Sequence, residues 1–106
     1  MSNSVVNAGL TEIQLNKILS VFSQYDSLDM VKLYGSRAKG NYRPGSDVDL
    51  AMFGDNFSHK DLTSLALQLD DLMLAYTFDL SRFQDIESDE LVEHINRIGI
   101  TIYESI

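Results

Sequence analysis

The sequence has no cysteine, no tryptophan and a single proline, and it is poor in positive charge. Without cysteine there are neither disulfides nor thiolate chemistry, which makes a reducing compartment compatible with the chain. Eight Lys and Arg stand against sixteen Asp and Glu, and the resulting net charge of −8 repels phosphate backbones, so duplex nucleic acid is not an expected partner. No apolar run approaches the ~20 residues of a membrane span. The start, MSNSVVNAGL, offers no basic n-region and no useful apolar stretch. The expectation is a cytoplasmic protein that stays out of the membrane. Its 106 residues are read as one domain, 1–106, and 44% hydrophobic content is enough for a single core. So small a domain leaves much of a ligand exposed unless a partner covers it.

What is present divides into clear periodic segments. Thr11-Glu12-Ile13-Gln14 reads as a capping box with Leu10 and Leu15 as its hydrophobic staple, and the recurrence of Leu15, Ile18, Leu19 and Phe22 predicts a helix over 11–24. The apolar run 30–34, ending at Gly35, predicts a buried strand that feeds a tight turn. Residues 47–53 begin with polar and apolar side chains in alternation, as a strand with one covered face does. Ser58 and Asp61 form a second capping signature ahead of a helix to about residue 74. Residues 77–81 alternate again, with Thr77, Asp79 and Ser81 on one face. A helix over 88–98, closed by Gly99, and a strand over 100–103 complete a sheet covered by helices.

One stretch stands apart: GSRAKGNYRPGSDVDL, residues 35–50. It holds three of the six glycines, the only proline (Pro44), and Arg37, Lys39 and Arg43, three of the eight cations. It ends in Asp47-Val48-Asp49. With eleven Asp in the chain, chance alone supplies roughly one Asp-x-Asp, so the pair means little without its setting. On a strand the two carboxylates share a face about 6.5 Å apart, near enough to serve two metal ions about 3.5–4 Å apart. Asp79 joins them if its strand lies beside theirs. Such oxygen donors suit hard cations of the magnesium type. Gly35 lets a phosphate approach the backbone, the Ser36 hydroxyl donates to it, and Arg37, Lys39 and Arg43 balance a triphosphate.

Gly35-Ser36, ten intervening residues, Asp47-Val48-Asp49-Leu50 and a later Asp79 together resemble the signature of the DNA polymerase β-like nucleotidyltransferases. The fuller Gly-Ser-Arg-Ala-x-Gly, with Ser46 ahead of the first aspartate, is similar to the minimal (MNT) group. The resemblance implies an α+β fold with a mixed sheet of about four strands and three or four helices in two layers. It implies transfer of a nucleotidyl group, AMP from ATP, to a hydroxyl. Asp47, Asp49 and Asp79 would be catalytic and would hold two Mg2+ ions, and Gly35, Ser36, Arg37, Lys39 and Ser46 would bind the nucleotide. The implied partner is a small all-helical HEPN protein, a ribonuclease toxin that the chain neutralises as antitoxin by adenylylating a tyrosine. The alternative is a catalytically silent module that neutralises or scaffolds that partner by contact. His59 and His94 lack partners at metal-ligand spacing and are read as surface or structural residues. Tyr34 is read as a core or interface residue.

Overall fold

The three longer helices described in this chain begin where a short polar side chain satisfies their first amides. In the computed structural model, which describes residues 9–105, Thr11 accepts from the Gln14 amide at 3.1 Å while Gln14 Oε1 accepts from the Thr11 amide at 3.0 Å. This reciprocal box opens α1, Glu12–Phe22. Ser58 and Asp61 repeat it ahead of α3, His59–Asp71. The Ser58 amide, and then the Ser27 hydroxyl, favour the ionised Asp61 and hold its carboxyl below the ordinary range. Ser88 caps α4, Asp89–Ile98, by accepting from the Leu91 amide. Residues 1–8, and with them most of the stretch searched for a leader, lie outside the described residues.

Four strands form one sheet: β1 Met30–Tyr34, β2 Val48–Phe53, β3 Phe78–Arg82 and β4 Ile100–Glu104. Their order is β3-β2-β1-β4, with β1 antiparallel to both neighbours and β2 parallel to β3. A single helical turn, α2 (Ser36–Lys39), follows β1 directly. Among the described residues the sheet is mixed and carries four helices, as the family resemblance implies. Among the described residues no helix is long and apolar enough to cross a membrane.

Period-two alternation assigns each face a task. Val31, Leu33, Val48, Leu50 and Met52 point to one side, where Leu15, Ile18 and Phe22 of α1 and Leu65 and Leu69 of α3 bury them. Burial of each such side chain contributes about 1.5–3 kcal/mol. Leu10 and Leu15 enter the same cluster, as a staple requires. The opposite side is covered in part by α4: Ile95 packs with Tyr34 and Ala51, and Leu91, Phe53, Phe83 and Ile86 close around them. The remainder of that face is polar and carries the aspartates.

The end of α3 holds a correctable strain. Met73 sits at φ 57, the left-handed region that costs a residue with a side chain about 1–2 kcal/mol, and it is 87% exposed, so it recovers nothing by burial. Met73→Gly relieves that cost, less about 0.4–1 kcal/mol for the freer unfolded chain. The expected outcome is a net gain of about 0.5–1 kcal/mol. Urea denaturation should show a higher midpoint with an unchanged slope.

Candidate active site

The site is built where three elements meet. β1 ends at Tyr34, and the chain leaves the sheet through Gly35 at φ 78, ψ −155, a conformation reserved for glycine. A side chain there would also fall on Asp49 Oδ2, so the absence of a Cβ makes room for that carboxylate. Across the sheet, the Val48 amide donates to the Thr77 carbonyl at 2.8 Å and begins the parallel pairing of β2 with β3. That register sets Asp49 directly beside Asp79, one inter-strand spacing of about 4.8 Å away. Asp47 lies just ahead of β2 and is exposed, as is Asp79. The condition left open by the sequence, that the strand of Asp79 neighbours that of Asp49, is met.

The three carboxylates feel one another. Burial first, then the charges of Asp79 and Asp47, push the Asp49 carboxyl from the ordinary 3.8 up to about 6. Burial and the Asp79 charge likewise hold the Tyr34 hydroxyl above the usual phenol range, opposed by Ser81 at hydrogen-bonding reach. Among the described residues no three acidic or imidazole groups already converge at metal-ligand distances. The aspartates thus share a neighbourhood rather than a finished coordination sphere. Their chemistry suits a hard cation, which would offset both the burial and the repulsion that raise Asp49.

The cations upstream divide by burial. Arg37 is 2% exposed and turns inward: Nε and Nη2 donate to the Ser46 carbonyl at 3.2 and 3.0 Å, and Nη2 reaches the Pro44 carbonyl at 3.4 Å. Its guanidinium lies 5.0 Å from the ring centres of both Tyr42 and Tyr76. Arg37 therefore shapes the loop before Asp47 instead of standing in solvent to meet phosphate. Ser46 Oγ accepts from the Arg43 amide at 2.8 Å, which ties the same loop. Lys39 and Arg43 are exposed, and Ser36 opens α2 at the mouth of the turn.

Residues 16–105 match the family described as Polymerase beta, Nucleotidyltransferase. The chain belongs to that family. Solved structures agree on the fold of this nucleotidyltransferase. One is a toxin–antitoxin complex with AMP-PNP, at 22% identity and TM-score 0.70 over 86% of this chain and 73% of the other. Another is the MntA–HepT toxin–antitoxin, at 18% identity and TM-score 0.65 over 90% and 74%. A third is the tri-AMPylated Shewanella oneidensis HEPN toxin with its MNT antitoxin, at 19% identity and TM-score 0.65 over 89% and 72%. No curated protein matches.

Two neighbours of the site escaped the sequence reading. His94, read as surface or structural, turns inward, and its Nε2 accepts from the Gly35 amide at 3.1 Å. The available signal was its spacing: Leu91, His94 and Ile98 follow i, i+3, i+7 on the inward stripe of α4. Ser81, on the same face as Asp79 by strand alternation, lies by the Tyr34 hydroxyl.

Proposed function

We propose that this chain is a Mg2+-dependent nucleotidyltransferase, one domain over residues 1–106, that transfers AMP from ATP to a tyrosine hydroxyl of a HEPN toxin and so acts as its antitoxin. The observation that carries this reading is the pairing of Asp49 with Asp79 beside the glycine turn. The solved toxin–antitoxin complexes of the same fold support the choice of partner.

In this reading Asp47 and Asp49 hold the cation on the nucleotide side, and Asp79 completes a second position with them. Bound there, two Mg2+ ions would neutralise charge on the attacking and leaving oxygens. The Gly35 turn, Ser36 and Ser46 border the phosphates, with Lys39 at the rim. The acceptor oxygen attacks the α-phosphorus, the bond to the β-phosphate oxygen breaks, and pyrophosphate leaves. Asp79, exposed at the site, receives the hydroxyl proton. Arg37 supports the loop that carries Ser46 and Asp47.

The test combines the purified chain, ATP, Mg2+ and a HEPN toxin under conditions where the two proteins form a complex, followed by the mass of the intact toxin. An increase by whole AMP units, dependent on Mg2+, is the expected outcome. An unmodified toxin in a formed complex would sink the enzymatic reading.

A further inference from the structure

We propose that His94 is a positioning residue that holds the Gly35–Ser36 turn in the shape that receives Asp49. The purpose assigned to the turn rests on the nucleotidyltransferase reading above. The bond itself does not.

The Gly35 amide lies beyond both ladders of β1, because pairing with β2 ends at Tyr34 and pairing with β4 ends at Leu33. A backbone donor at such a point needs another acceptor. His94 Nε2 supplies it at 3.1 Å. An imidazole nitrogen accepts only when unprotonated, so the neutral ring carries its proton on Nδ1. The ring is not free to drift: it meets Tyr34 edge-on, with centroids 6.1 Å apart at 79°. The adjoining Ile95 is fully buried against Tyr34 and Ala51 and anchors α4 to the sheet. Gly35 is thereby held on two sides, by Asp49, whose Oδ2 stands where a Cβ would fall, and by His94 on its nitrogen. Glycine can reach its φ of 78 but also many other conformations, and the bond from α4 is one contact that selects this one. The same contact engages the Gly35 amide, leaving Ser36 as the donor at the mouth of the turn.

Two variants separate this role from mere packing. His94→Phe keeps a flat ring against Tyr34 and deletes the acceptor, while His94→Gln keeps an acceptor. In the 15N-labelled wild-type chain, without metal or nucleotide, NMR should detect scalar coupling across the Gly35 N–H to His94 Nε2 bond. In His94→Phe the Gly35 amide should exchange with solvent about tenfold faster, and the Leu50 amide in the core should not change. With Mg2+, ATP and the HEPN acceptor, His94→Phe should lower kcat about tenfold with KM for ATP within about threefold, and His94→Gln should restore most of both. Absent coupling, wild-type exchange at Gly35 in His94→Phe, or a His94→Gln variant as impaired as His94→Phe would each overturn the proposal. A wild-type chain that transfers nothing ends the reaction proposed above, while coupling and exchange still decide this one.

Discussion

Gly35→Ala should destabilise the chain by about 1–3 kcal/mol and abolish cation binding at the aspartates. The first effect comes from the backbone, since φ 78 with ψ −155 lies where a Cβ is strongly disfavoured. The second comes from contact: the new methyl would occupy the position of Asp49 Oδ2, and the short aspartate side chain is what must swing away. That swing separates Asp49 from Asp79, its partner in register. Gly40→Ala is the matched control. Gly40 also has a positive φ, 88, but a Cβ there meets nothing within 4 Å. It should lose stability by a similar backbone cost and keep its cation affinity. Urea denaturation and Mn2+ titration by calorimetry measure the two effects separately. A Gly35→Ala chain with wild-type Mn2+ affinity would show that the glycine turn does not shape the site.

The parts legible in the sequence were those set by local rules. Capping boxes at Thr11 and Ser58 act within four residues, so they mark helix starts wherever the chain folds. Alternation in 77–81 placed Asp79 on its face because strand periodicity does not depend on neighbours. For the opposite reason, the contacts of Arg37 and His94 were not legible. A guanidinium two residues past a glycine turn reads as a phosphate ligand, yet Tyr76, 39 positions downstream, encloses it and draws it inward. His94 gains its task from Gly35, 59 positions away, and only the docking of α4 on β1 brings them together. Long-range contacts of this kind leave their trace in the helical stripe, not in the motif.

Asn at both Asp47 and Asp49 should cut nucleotidyl transfer by at least about 10³-fold, equivalent to about 4 kcal/mol of transition-state stabilisation, and yet leave the metal-free chain more stable at neutral pH. The stability gain follows from the sign of the shift at Asp49. Its carboxyl titrates near 6 in the folded chain against an ordinary 3.8, so between those values the native state binds more protons than the unfolded one. Stability from this group is greatest below about pH 4 and falls as pH rises through 6. The shift of about two units would be worth roughly 3 kcal/mol for a sealed group, but water reaches Asp49, and about 1 kcal/mol is the screened figure. Asn, uncharged at every pH, removes that penalty, so wild type and variant should converge near pH 4 and separate by about 1 kcal/mol at pH 7. Mg2+ should reverse the order, because it stabilises only the chain that binds it. Urea curves at pH 4 and 7, with and without Mg2+, test both halves, and equal stability at pH 7 would mean that neither burial nor the neighbouring carboxylates penalise the ionised Asp49. In cells the same variant separates the proposed enzyme from a binder: with a HEPN toxin as the proposed partner, lost protection supports transfer, whereas protection retained without transfer favours neutralisation by contact alone.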